Sequence, residues 1–172
     1  MQDLVSIITP TYNSADFIAD TIECILAQTY QNWELLITDD CSSDNTVEIV
    51  LSYAQKDKRI RLFRLETNSG GGVSRNNSIK EANGRYIAFC DSDDRWTKNK
   101  LEVQVAFMKE KDTAFSYGSY MLCDEDDKEL GINICLSKLT YTQILMDNFV
   151  GCLSAMYDTL KIGKIYMPTI RK

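Results

Sequence analysis

Short apolar runs rich in β-branched residues alternate with helical patterns in this chain, and three of the runs break off into polar clusters. Leu4 to Thr9 reads as a buried strand closed by Pro10 and followed by Thr11-Tyr12-Asn13. Trp33 to Thr38 reads as a second strand and ends on Asp39-Asp40. Ile60 to Leu65 alternates as a third, and Arg85 to Cys90 is a fourth that ends on Asp91-Ser92-Asp93-Asp94. After the first run, Asn13 or Ser14 can cap a helix on which Phe17, Ile18, Thr21, Ile22, Ile25 and Leu26 share one face. After the second, Ser42, Ser43 or Asp44 can cap a helix with Val47, Val50, Leu51 and Ala54 facing inward. A flexible turn over Asn68 to Gly72 leads into a helix over Val73 to Ala82. This alternation predicts an α/β fold of Rossmann-like type, with a mostly parallel central sheet and helices on both faces. Ligands of such sheets bind beyond the carboxyl ends of the strands, so the three polar clusters should meet at one edge.

Downstream, the spacing predicts a helix over Leu101 to Lys111, a strand over Ala114 to Leu122 and an acidic turn over Asp124 to Lys128. A further extended stretch and a short helix over Tyr141 to Met146 follow. With 172 residues, no internal repeat and no linker, the chain suits one domain over 1–172. A net charge of −6 argues against a domain that works by neutralising nucleic-acid phosphates. No apolar run nears the roughly 20 residues of a membrane span, so no transmembrane segment is expected. A basic and then apolar leader is also missing ahead of the first strand, which makes the cytoplasm the expected compartment. The 6 cysteines form no C-x-x-C pair and read as reduced, mostly buried thiols. Histidine is absent. A bound metal must therefore take oxygen ligands, which means magnesium, calcium or manganese, and a general base must be Asp, Glu, Lys, Tyr or Cys.

Three carboxylates within Asp91 to Asp94 repel one another. A divalent cation with bound phosphates would relieve that repulsion, since ions of the magnesium type take one or two protein carboxylates plus phosphate oxygens. A solvated acidic loop ahead of the next helix is the plainer reading of the same residues, and spacing alone does not separate the two. The position at a strand's carboxyl end favours the metal. Asp39-Asp40 could simply close a turn, or a carboxylate there could accept the imide N–H of a uracil on which Tyr12 stacks. Gly70-Gly71-Gly72 with Arg75 offers open backbone and a cation near a helix start, suited to a diphosphate or to a plain loop. It is neither a G-x-G-x-x-G fingerprint after the first strand nor a P-loop.

Four segments together resemble glycosyltransferase family 2, the inverting family with the GT-A fold. They are Val5 to Asn13, Trp33 to Thr46, Gly72 to Asn77 and Gly84 to Trp96, in family order and spacing over about the first hundred residues. The resemblance implies that residues 1–100 form the nucleotide-sugar-binding half and 101–172 an incomplete acceptor-side half. It implies that Pro10 and Tyr12 line the nucleobase pocket, that Asp40 bonds uracil and that Arg75 lies near the diphosphate. Asp91-Ser92-Asp93 matches the family's D-x-D motif, so Asp91 would contact the ribose and Asp93 would ligate Mn2+ or Mg2+. Asp94 would help to hold the loop. The partners implied are a UDP-sugar donor and a saccharide or glycolipid acceptor, in surface polysaccharide or glycan synthesis. The chain would meet a membrane-borne acceptor only as a peripheral protein.

In the family, the catalytic base follows a stretch like Lys164 to Arg171, and this chain reads as stopping short of it at Lys172. The catalytic residue is therefore unassigned: neither Asp124 to Asp127 nor Asp147 is placed there by the resemblance. Asn148 to Ser154 resembles the start of the acceptor-side wall. A UDP-sugar-binding unit without turnover is one alternative. A sugar nucleotidyltransferase is another, though it would carry a Gly-rich basic loop where this chain has Pro10 to Asn13. A receiver-type domain would need an acidic pair there.

Overall fold

The computed structural model describes residues 2–124, 128–140, 142–143 and 150–169. Strand β1 (Val5–Thr11) is buried along its whole length and runs through Pro10, where the sequence predicted an end. The backbone explains this. Asp40 N–H donates to Thr11 O on one flank, and Cys90 N–H donates to Ile8 O on the other. Pro10 thus turns its missing N–H to the second flank, where pairing has already stopped at Ile8 opposite Phe89.

Helix α1 (Ile18–Leu26) leads to β2 (Trp33–Asp39), and α2 (Thr46–Lys56) leads to β3 (Ile60–Arg64). Helix α3 (Gly71–Glu81) leads to β4 (Tyr86–Phe89), and α4 (Lys100–Glu110) leads to β5 (Phe115–Ser116). Strands β6 (Tyr120–Cys123) and β7 (Glu129–Asn133) pair only with each other, as an antiparallel ribbon. A 3-10 turn (Cys152–Ser154), β8 (Met156–Asp158) and one helical turn (Thr159–Ile162) follow. The main sheet has the order β3-β2-β1-β4-β8-β5. Strands β1 to β4 are parallel to one another, and β8 lies antiparallel to both β4 and β5.

Alternate residues of the strands feed two cores. Val5, Ile7, Leu35 and Ile37 pack with Ile18, Ile22, Ile25, Val50, Leu101 and Val105 on the face of α1, α2 and α4. Ile8, Leu36, Ile87 and Phe89 pack with Ile79 of α3 and with Ala82 just after it on the other face. This is the two-faced α/β sheet that the sequence predicts.

Several local expectations are corrected. The run from Ala114 to Leu122 splits into β5 and β6, which belong to different sheets, with Gly118 between them. Helix α3 begins at Gly71 rather than Val73, with only Gly70 in a left-handed conformation at φ 91°. No side chain caps α1, because Ser14 bonds Ser92 and Asn13 bonds Ser43 instead. Phe17 and Leu51 are exposed rather than inward, since each sits at the edge of its helix's apolar stripe. Cys90 alone of the cysteines is fully buried, while Cys41 and Cys123 lie in exposed turn and ribbon positions. Tyr141 and residues 144–146 of the expected short helix lie outside the described residues. So do Glu125 to Asp127 of the acidic turn, Asp147, Asn148 and Phe149 of the wall, and Ile170 and Arg171 of the final stretch.

Candidate functional site

The carboxyl ends of β1, β2 and β4 lie side by side, and their loops are stitched together. Thr11 stands opposite Asp39 in the register. Asn13, at φ 48°, receives a bond from Ser43 N–H on its Oδ1 and donates its own N–H to Ser42 Oγ. Ser14 Oγ shares a 2.8 Å hydrogen bond with Ser92 Oγ. Thr21 Oγ1 reaches the carbonyls of both Ser92 and Asp94, each at 3.0 Å. Asp94 therefore helps to hold the loop through its main-chain carbonyl.

A cleft of about 220 Å³ opens between these loops and the start of α3. Pro10, Tyr12, Asp40, Arg75, Asp91 and Asp93 all line it, together with Gly71 and Ser74. These six are the residues that the sequence marks for nucleotide or metal. Tyr12 is half exposed at the mouth, while Asp40 is buried. Asp40 accepts Ser69 N–H on Oδ1 at 2.6 Å and Gly70 N–H on Oδ2 at 2.7 Å. Its carboxylate thus ties β2 to the turn that launches α3, and each oxygen keeps a lone pair. Arg75 and Asp91 form an ion pair at 2.6 Å. Burial acts to lower the Arg75 guanidinium, but the bonds from Asp91 outweigh it and hold the group above its ordinary value.

The acidic loop carries charge that Arg75 does not balance. Burial, and then the charges of Asp91 and Asp93, push the Asp94 carboxyl up to about 6. Arg75 offsets only part of this, and the oxygen donors of the loop suit Mg2+ or Mn2+. Among the described residues, no group of three or more His, Cys, Asp or Glu side chains could hold a metal by itself. An ion here would need phosphate oxygens to complete its shell, which fits Asp93 as one protein ligand.

A larger cleft, about 1180 Å³, lies between α4 and β6 and shares Asp93 with the first. Trp96, Lys100, Phe107, Tyr117 and Leu122 are among its lining residues. The Lys100 stem is partly exposed, but its ammonium is buried with no hydrogen-bond partner and sits 3.6 Å from the centre of the Trp96 ring. Burial lowers it to about 7. Lys100 escapes the sequence reading, because a lysine opening a helix normally faces water.

The family model described as Glycosyl transferase family 2 matches residues 6–157. The chain belongs to glycosyl transferase family 2. Among its relatives is TuaG of Bacillus subtilis, a glycosyltransferase named for teichuronic acid biosynthesis. TuaG is 46% identical over 169 residues, which cover 98% of this chain and 67% of TuaG. WfgD of Escherichia coli is named as a UDP-Glc:alpha-D-GlcNAc-diphosphoundecaprenol beta-1,3-glucosyltransferase. It is 41% identical, over 98% of this chain and 66% of its own length. TarS 1–349 of S. aureus in complex with UDP superposes with a TM-score of 0.77 at 29% identity, covering 96% of this chain and 50% of that one. The family 2 chain thus has the GT-A fold and spans about two thirds of these curated relatives. Among the described residues, no helix is long and apolar enough to cross a membrane.

Proposed function

We propose that this family 2 chain binds the donor in an inverting, metal-assisted glycosyl transfer, with UDP as the nucleotide, in the synthesis of a surface polysaccharide or glycan. The observation that carries this reading is the meeting of Pro10, Tyr12, Asp40, Arg75, Asp91 and Asp93 in one cleft at the carboxyl edge of the sheet. Uracil would stack on Tyr12 beside Pro10, its imide N–H bonding a lone pair that Asp40 keeps after binding Ser69 and Gly70. Arg75 would turn from Asp91 to the diphosphate, which frees Asp91 for the ribose. Asp93 would hold Mn2+ or Mg2+, whose charge offsets the charge that develops on the departing diphosphate. An acceptor hydroxyl reaching in from the larger cleft would displace the nucleotide in a single step, and single displacement inverts the anomeric centre. The base that takes its proton is not assigned to any residue of this chain. The acceptor class we favour is a saccharide on a lipid diphosphate, as in the name of WfgD, reached by a peripheral protein.

Calorimetric titration of UDP with and without Mn2+ tests the proposal. Binding should require the metal. Asp93→Ala should abolish the metal-dependent part while circular dichroism stays unchanged, because Asp93 is exposed and supports no packing. Unchanged affinity in that variant would contradict the metal assignment.

A further inference from the structure

Two polar atoms of α4 are buried without a hydrogen-bond partner. They are Lys100 Nζ, a donor, and Gln104 Oε1, an acceptor. Their residues are four apart, so the side chains are neighbours on successive turns of the helix. Both residues line the larger cleft, as does Trp96. Gln104 is held in this orientation. Its Nε2 donates to Ser154 O at 2.8 Å and to Ser116 Oγ at 3.0 Å, which fixes the carbonyl end as well. The Trp96 ring is fixed too, since Nε1–H donates to Leu153 O at 2.9 Å. The Lys100 ammonium lies over the face of that ring, 3.6 Å from its centre, while the residue as a whole stays partly exposed.

We propose that Trp96, Lys100 and Gln104 form a saccharide subsite in the larger cleft, opened when the Lys100 head swings off the Trp96 ring. This rests on the acceptor role given to that cleft above. A hydroxyl answers both orphaned atoms, because it accepts from an ammonium and donates to a carbonyl. The C–H face of the sugar ring takes the place of the ammonium on Trp96, where the negative face of the indole attracts it. One movement of Lys100 thus uncovers an aromatic platform and brings a donor to the sugar. The long lysine stem allows that movement. The head has no hydrogen bond to break, only its contact with the ring.

The chemistry of the cleft selects a neutral ligand. An ionised phosphate accepts from Lys100 but has no hydrogen for Gln104. Five aspartates against two basic residues, Arg95 and Lys100, are among the lining residues, so an anion would meet net repulsion. A neutral pyranose meets neither objection. Asp93 lines both clefts, which sets the subsite beside the donor cleft.

The test titrates the purified chain, without UDP or Mn2+, with the methyl α-glycosides of N-acetylglucosamine, glucose and galactose. It follows the indole N–H resonances of the 2 tryptophans by NMR. At least one sugar should bind saturably and shift the Trp96 resonance, while that of the fully buried Trp33 stays in place. Lys100→Met should weaken that binding by at least about tenfold, for the loss of a charged donor. The same variant should melt higher at pH 7, so its weaker binding is not a loss of fold. Inorganic phosphate should not displace the sugar. Absence of saturable binding with all three sugars overturns the proposal. So does binding that leaves Trp96 unmoved, unchanged affinity in Lys100→Met, or displacement by phosphate. The donor reading is judged apart, by the UDP calorimetry. A chain that binds sugar at Trp96 but no UDP supports the subsite and refutes the nucleotide role.

Discussion

Asp40 shows how one side chain can serve the fold and the cleft together. Its two oxygens satisfy consecutive backbone N–H groups, and it does so while buried. Asp40→Ala would strand both donors, so it should cost about 2–4 kcal/mol in denaturant unfolding, beyond any effect on nucleotide. Lys100 carries the opposite balance, a buried ammonium with the Trp96 ring beside it but no hydrogen-bond partner. Its folded pKa, about 7, lies below the ordinary 10.5. Between those values the unfolded chain holds more protons than the folded one, so stability rises with pH across that window. Below it the full cost of burying the charge applies. Lys100→Met should therefore raise the melting temperature at pH 7 and flatten the rise in stability between about pH 7 and 10.5, measured by thermal unfolding across a pH series. Among the cleft residues, Tyr12, Asp40 and Asp91 were legible in the sequence because each lies one or two positions past a strand. Lys100 was not, because its burial depends on Trp96 and on the 3-10 turn, which reach it only through the tertiary fold.

At the scale of elements, α3 is held from two sides. Asp40 fixes its start, and the segment after the last helical turn straps its far side. Asn76 Nδ2 donates to Met167 O at 2.9 Å, and Met167 N–H donates to Asn76 Oδ1 at 2.7 Å. Ile165 N–H adds a bond to Tyr157 Oη. Asn76→Ala removes both bonds to Met167, so amide exchange at Met167 should quicken by at least about tenfold while α1 and β1 stay protected. Retained protection at Met167 would show that apolar contacts hold the strap. Strands β1 to β4 and helices α1 and α2 were legible in the sequence by their periodicity, and α3 and α4, whose apolar residues show little of it, were still expected within two residues of where they lie. The division of Ala114 to Leu122 was not legible. Its apolar pattern is continuous, and only the partners, β8 for one piece and β7 for the other, tell them apart.

Across the whole molecule, stability rests on the two cores and not on the ribbon. Leu130, Ile132 and Ile134 alternate along β7 and its extension, and all are largely exposed, as is Met121 opposite Ile132. Leu130→Lys with Ile132→Lys should shift the unfolding free energy by no more than about 0.5 kcal/mol. Ile22→Ala or Ile87→Ala, each at a fully buried position, should cost about 2–5 kcal/mol. A large loss from the ribbon pair would mean that it packs on the body of the protein. The sheet order sets a timetable as well. Among the described strands, β5 pairs only with β8, which comes some forty residues later in the chain. A chain emerging from its amino end can zip β1 to β4 together at once, but Phe115 and Ser116 must wait for Met156 to be made and to slot in beside Ala88. Strand β8 is thus the wedge that joins β5 to the rest of the described sheet, and its insertion is a step at which folding should pause.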